Sequence, residues 1–340
     1  MLQLKNTSPF KAQVLALPDA QGIDTLYVVV KATFTLHPKL ALADEQLPVT
    51  LADAYWGEPG KSSLKYASEA HLTKPGTDVV VVGEAFAPHG RAAPSVDVGL
   101  TVAGRTGGFR VFGDRRWERS FLSTSPSRPE PFVRMPLVYE RAFGGVHVED
   151  ELLGEIHAEG RNPVGRGFLG KREADELSEV GLPNLEDVQA LIRSPGDAQR
   201  PMGFGFVAPN WEPRLGYAGT YDERWQKERA PYLPDDFDPR FFHGAHPDWV
   251  FEKPLKGGEE VVMFNLSPRM QEKLRIPTCA LDITVKIAGQ PQTPRPSLET
   301  VLLEPSEGRL CLTFRAAVPC DKKLLKVEEI AIGLQQCSFG

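Results

Sequence analysis

The chain has 340 residues, with 41% hydrophobic and 25% charged side chains and a formal net charge of −6. That is an ordinary globular composition, enough for one large or two smaller domains, and an acidic chain without a basic stripe excludes a typical nucleic-acid partner. The opening MLQLKNTSPFKAQ lacks an apolar core with a cleavage site, and no run approaches the roughly 18 apolar residues that span a bilayer, so the expected setting is the cytoplasm with no membrane partner.

The first element in chain order is YVVVKATFTL, residues 27–36. Val28, Val30, Ala32, Phe34 and Leu36 alternate with Tyr27, Val29, Lys31, Thr33 and Thr35, the period of a β-strand. Residues 78–86, DVVVVGEAF, suit a strand covered on both faces. Residues 95–103 alternate again, and Gly107-Gly108 is expected to turn the chain into a hairpin ending at Phe112. In the last third, residues 260–266, 280–288, 301–304, 309–315 and 326–332 read as strands, with Pro305-Ser306-Glu307-Gly308 as a hairpin turn. Residues 95–104 and 280–289 share apolar phase, an aspartate and a terminal Ala-Gly, which raises the question of an internal repeat. With 31 glycines and 30 prolines lacking any period, the chain suits short strands joined by tight turns.

Helical signals are sparse and central. Residues 174–179 and 185–192 are expected to form short helices, the second capped by Asn184, and residues 221–227 two more turns. The expected fold is therefore mainly β, a β-rich α+β chain whose antiparallel sheets form a sandwich-like core with a loop-rich, partly helical middle. Its expected parts are an N-terminal β region over 1–120, an aromatic and Pro/Gly-rich region over 121–255, and a C-terminal β region over 256–340 that packs with the first.

Residues 200–250 hold Trp211, Trp225 and Trp249 among prolines, glycines and charged residues. Aromatics at this density bury too much area for a disordered linker, and prolines this frequent prevent one regular element. An ordered loop region is expected there. Chemistry is hard to find. Gly165–Gly170 fits G-x-G-x-x-G but follows the turn residues Arg161-Asn162-Pro163 rather than a strand, so loop packing is the better reading. His243 and His246, among Asp236, Asp238 and Asp248, offer metal-ligand types without helical spacing. There is no G-x-S-x-G elbow, and the four cysteines, Cys279, Cys311, Cys320 and Cys337, show no C-x-x-C spacing and read as reduced structural thiols. In Gly113–Trp117 an arginine beside a tryptophan suits either an interface or a buried ion pair.

A set of unusual words in order resembles the DUF2169 family encoded in bacterial type VI secretion clusters. They include VVVKATF (28–34), KPGTDVVVVGEAFAP (74–88), VFGDRRW (111–117), MPLVYERAFGG (135–145), NPVGRGF (162–168), LPNLE (182–186), PNWEPR (209–214), AGTYDERW (218–225) and LPDDFDPRFF (233–242), within residues 5–315. The stretch 190–206 diverges. The resemblance implies a non-enzymatic adaptor or chaperone that binds a type VI effector, including effectors with a PAAR-type tip domain, and loads it onto the VgrG spike. It brings no cofactor and no catalytic residues. The alternative is a carbohydrate-active or metal-dependent hydrolase using the aromatic loops near 210–250, and a third reading is a component of the spike itself. The residues expected to meet a partner are Arg115, Arg116, Trp117, Trp211, Arg214, Trp225 and Arg240.

Overall fold

The computed structural model describes residues 3–121, 123–150, 154–172, 176–197 and 199–339. Its hub is the strand Asp24–Thr35, where the β-branched run fixes an extended backbone. Val28, Val30, Ala32 and Phe34 are sealed in the core as their alternation requires. The opposite row is buried as well, including Lys31 and Thr33. A charged residue on a covered face needs a partner, and that need organises the site below.

The hub strand lies one place in from the edge of a seven-stranded sheet. Lys11–Pro18 pairs with one edge and Arg309–Pro319 with the other, followed outward by Ser297–Glu304, Thr77–Val81 and Val250–Phe251; Ala41–Leu42 also pairs with the hub. Both ends of the chain and the loop-rich middle therefore contribute to one sheet. A four-stranded sheet joins Gln3–Asn6, Val327–Ser338, Thr278–Ile287 and Gln290–Gln292. Phe10, Phe34 and Phe339 meet at centroid distances of 6.4 and 6.0 Å, linking the two sheets in one core with Ile283, Val285, Ile330 and Ile332. A five-stranded sheet orders Leu185–Glu186, Arg105–Phe112, Ser95–Val102, Glu260–Phe264 and Gln271–Arg275. Phe204 ties it to the large sheet: its ring lies 4.7 Å from Phe109 and 5.6 Å from Trp249, and its carbonyl accepts from Val81 N–H.

The fold is mainly β, with short helical turns in the middle of the chain. Three strand pairings among the described residues are parallel rather than antiparallel: Thr77–Val81 with Ser297–Glu304, Gln3–Asn6 with Val327–Ser338, and Phe143–Gly144 with Arg166–Gly167. The expected strand over 78–86 is divided, because Glu84–Phe86 leaves the large sheet to pair with Arg134–Pro136.

The first hairpin turns at Ala103-Gly104, with φ of 50° and 82°, and not at Gly107-Gly108. The latter glycines lie inside the strand for a packing reason. A Cβ on Gly107 would stand 3.1 Å from the Trp249 ring, and one on Gly108 would stand 2.2 Å from the Val98 carbonyl oxygen. The same two-residue turn recurs at Ala288-Gly289, with φ of 49° and 79°. The likeness of 95–104 to 280–289 is that of two hairpins. The strands before them differ, since Glu260–Phe264 pairs with Ser95–Val102 while Thr77–Val81 lies in the large sheet.

The expected helix over 185–192 is absent. Leu185–Glu186 joins the five-stranded sheet, and Asn184, rather than capping a helix, donates to Phe112 O at 3.0 Å and Asp114 Oδ1 at 2.9 Å. Tertiary hydrogen bonds outweigh a weak local propensity here. Of residues 174–179, Glu176–Glu179 is a 3-10 turn and 174–175 lie outside the described residues. The helix near 221–227 is present as Glu223–Glu228, capped by the Asp222 carboxylate, which accepts from Trp225 N–H. Among the described residues no helix is long and apolar enough to cross a membrane.

Candidate functional site

The seven residues chosen from sequence do not form one patch. Arg115, Trp117 and Trp211 are interior. The Arg115 guanidinium lies 3.9 Å from the Phe112 ring centroid, donates to Pro183 O at 2.7 Å and pairs with the buried Glu186 carboxylate. Trp117 packs with Leu177, Val180, Leu182 and Ile192. Trp211 meets Tyr139 edge-on at 5.6 Å. These three side chains are turned into the fold because a desolvated Glu186 needs a cation and large rings need cover. Arg214 is half-buried, donating from Nε to Phe241 O at 2.9 Å and from Nη1 to Val207 O at 2.6 Å. Trp225 is half-buried, its indole N–H on Tyr232 O at 2.8 Å. Arg240 clasps Asp238 and lies 4.4 Å from the Tyr217 ring centroid, whereas the Arg116 side chain is 79% exposed.

His243 does not gather with Asp236, Asp238 and Asp248. Its Nδ1 lies 2.6 Å from Asp78 Oδ1, a carboxylate 165 positions earlier in the chain. Lys74 Nζ donates to Asp78 Oδ2 at 2.7 Å, and Gly244 N–H donates to the same oxygen at 2.8 Å. Burial alone would raise the Asp78 carboxyl, but Lys74 and His243 prevail and hold it well below the usual carboxylate range. His243 lines a cavity of about 330 Å³ together with Arg214, Tyr217, Arg240, Val250 and Glu252. With Nδ1 fixed by Asp78, Nε2 is the ring nitrogen left to face a ligand. That is an oriented general base in outline, yet among the described residues the lining contains no serine, threonine or cysteine to act as nucleophile. His246 is committed to the fold, with Nε2 3.1 Å from Pro201 O and Nδ1 accepting from Asp248 N–H at 3.2 Å.

Asp78 belongs to a larger buried network on the polar face of the large sheet. Arg315 Nε donates to Glu299 Oε2 at 2.6 Å and its Nη2 to Glu69 O at 2.7 Å. Lys74 N–H reaches Glu299 Oε1 at 2.8 Å, and Lys31 Nζ reaches Glu69 Oε2 at 2.9 Å and Thr50 Oγ1 at 3.1 Å. Three basic and three acidic side chains thus balance in the interior. Within it Arg315 Nη1 is buried without a hydrogen-bond partner, so the network is close to full satisfaction but does not reach it. Sequence reading passed over it, although lone charges in apolar runs, such as Lys31 within YVVVKATFTL, were its visible sign.

The network and its surroundings set a pH response. Burial, reinforced by the Arg315 charge, holds the His71 imidazole well below its ordinary pKa, and burial lowers His246. Both rings are therefore neutral in the folded chain, while the unfolded chain takes up a proton at each as pH falls through about 6.5. Their contribution is complete above that pH and is lost below it, at up to about 1.4 kcal/mol per pH unit for each ring. Burial raises the Glu299 and Glu186 carboxyls, which offsets part of the loss nearer the carboxylate range. Urea unfolding is expected to show a lower midpoint at about pH 6 than at about pH 7.5; an unchanged midpoint would mean that the rings charge freely in the fold.

A second feature was not singled out from sequence. Val146–Asp150 and Glu155–Ala158 form a two-stranded hairpin paired, among the described residues, with no further strand. Its register sets Val146 opposite Ala158 and Val148 opposite Ile156, so all four share one face. Val146, Val148 and Ile156 are 41%, 46% and 62% exposed. The other face carries Glu149, Glu155 and His157, whose ligand atoms lie within 4.8 Å of one another. Lys171 Nζ already stands 2.7 Å from Glu149 and 3.9 Å from Glu155, supplying the cation this cluster needs.

Residues 21–315 match a family described as an uncharacterized protein conserved in bacteria, DUF2169. The chain belongs to the DUF2169 family. No curated protein and no solved structure matches it. The DUF2169 segment contains the whole charge network, from Lys31 to Arg315, as well as the His243 cavity and the exposed hairpin. It ends before the strand Val327–Ser338 that completes the four-stranded sheet.

Proposed function

We propose that this DUF2169 protein is an adaptor that binds a type VI secretion effector, including effectors that carry a PAAR-type tip domain, and helps load it onto the VgrG spike. The observation that carries the reading is the apolar hairpin face of Val146, Val148 and Ile156. A two-stranded hairpin is marginal by itself in water, and three exposed aliphatic side chains on one face gain about 25 cal/mol for each Å² of apolar surface that a partner covers. The other distinctive groups, Arg115, Trp117, Trp211 and the charge network, are already used by the fold.

The test is co-purification from cells that carry the neighbouring effector genes. The wild-type chain is expected to retain an effector, and the paired substitution Val148→Lys with Ile156→Asp, which sets opposite charges across the strands, to lose it. Since both side chains are exposed, unfolding free energy should change by no more than about 0.5 kcal/mol per site. Retention by the double variant would remove the hairpin as the docking face. Recovery of the wild-type protein with the secreted spike would overturn the loader reading and favour a spike component.

The hydrolase reading rests on the Asp78-oriented His243 at a ligand-sized cavity. It requires a substrate turned over by the wild type and not by His243→Gln, in a variant that still co-purifies with any effector.

A further inference from the structure

Cys279 and Cys337 are direct neighbours across the antiparallel strands Thr278–Ile287 and Val327–Ser338, with Sγ atoms 3.3 Å apart. Both are half-buried, whereas Cys311 and Cys320 are sealed in the core. Opposed residues in an antiparallel pair have Cα atoms about 4.5–5.5 Å apart, inside the window of about 4.4–6.8 Å that a disulfide spans. Rotation of two side chains therefore suffices to join the sulfurs. All four cysteines are free thiols, as expected, and Cys279 and Cys337 stand close enough to be joined.

The two thiols are also unequal. The hydrogen bond shared by the two sulfurs lowers the Cys337 thiol from its ordinary pKa and raises that of Cys279. Cys337 is thus the readier nucleophile, and Cys279 stands where a resolving thiol must stand. Burial raises Cys311 to about 11 and also raises Cys320, which leaves both poorly reactive.

We infer that Cys279 and Cys337 form a redox-active pair, which a small-molecule disulfide such as oxidised glutathione converts to a cross-strand disulfide. The Cys337 thiolate attacks one sulfur of oxidised glutathione, breaking its S–S bond and releasing one glutathione thiolate. Cys279 then gives its proton to solvent and attacks the Cys337 sulfur of the mixed disulfide, expelling the second glutathione. Two protein thiols are oxidised by two electrons, one small disulfide is reduced to two thiols, and atoms balance.

The bond would have reach. The two cysteines are 58 positions apart, and the segment between them contains Ser297–Glu304 and Arg309–Pro319, central strands of the large sheet. Closing that loop restricts the unfolded chain through both sheets at once. The bond would also fasten Val327–Ser338, which lies beyond the DUF2169 match, to Thr278–Ile287 within it.

The experiment treats the native full-length protein with excess oxidised glutathione at mildly alkaline pH, followed by alkylation, intact mass and peptide mapping. Loss of two titratable thiols, a mass lower by two hydrogens and a Cys279–Cys337 linked peptide are expected, together with slower proteolysis of the oxidised form. Cys279→Ser is expected to stop at a glutathione adduct on Cys337, which shows the order of attack independently of any stability change. Four thiols remaining in the treated wild type, or a wild type that stops at the adduct, would overturn the pair.

Discussion

Replacing Arg315 with methionine is expected to remove about 3–5 kcal/mol of unfolding free energy, the cost of breaking a buried ion pair by deleting one partner. The Arg315 side chain is 0% exposed and serves Glu299 and the Glu69 carbonyl together. Without it the Glu299 carboxylate keeps only the Lys74 backbone N–H among its direct partners. Burial already raises this carboxyl, so in the variant it should ionise still less readily and stability should recover somewhat as pH falls. The paired substitution Arg315→Met with Glu299→Gln should restore part of the loss, because no ionised carboxylate is then left uncompensated. The surface pair Arg110–Asp97 is the control: Arg110→Met is expected to cost about 1 kcal/mol or less, since an exposed pair gains little. Urea denaturation with an unchanged m-value measures all three. Equal losses for Arg315→Met and Arg110→Met would show that the network does not hold the sheet.

Trp211→Ala is the second large effect, with an expected loss of about 3–5 kcal/mol from the missing ring and the cavity left behind. Trp211 is 3% exposed and its ring stands edge-on to Tyr139. Trp225→Ala should cost far less, about 1 kcal/mol, as that indole sits half-exposed against Tyr221 and one carbonyl. The contrast bears on the adaptor reading. Any loss of effector by Trp211→Ala should track loss of folded protein, whereas a loss by Arg116→Glu or Arg240→Glu at full stability would place part of the docking face on those arginines. A stable Trp211→Ala protein with weakened binding would instead mean that the ring is reached by the partner.

Long strands were legible because alternation is a local signal: Asp24–Thr35, Ser95–Val102, Thr278–Ile287 and the hairpin around Pro305 all follow from it. What local pattern does not carry is pairing. Leu185–Glu186 is a strand only because Val111 and Arg110 lie alongside, and the parallel partner of Thr77–Val81 arrives more than 200 positions later. The candidate site suffered from the same limit. His243 had three aspartates close in sequence, and the carboxylate that orients it is Asp78, brought over by the large sheet. Conversely, Arg115 and Trp117 read as interface residues because their partners Glu186 and Leu182 come some 70 positions later in the chain.

The interleaving of the large sheet has a consequence for how the protein is made. The hub strand Asp24–Thr35 is translated nearly 300 residues before its neighbour Arg309–Pro319 is complete. At roughly 5–20 residues per second this is a wait on the order of tens of seconds. Throughout that time the valine-rich strands Asp24–Thr35 and Thr77–Val81 lack their central partners, in a nascent chain whose contacts are mostly long-range and therefore slow to form. The newborn chain is thus expected to be a chaperone client itself, and its yield to fall sharply when synthesis outpaces the supply of general folding factors.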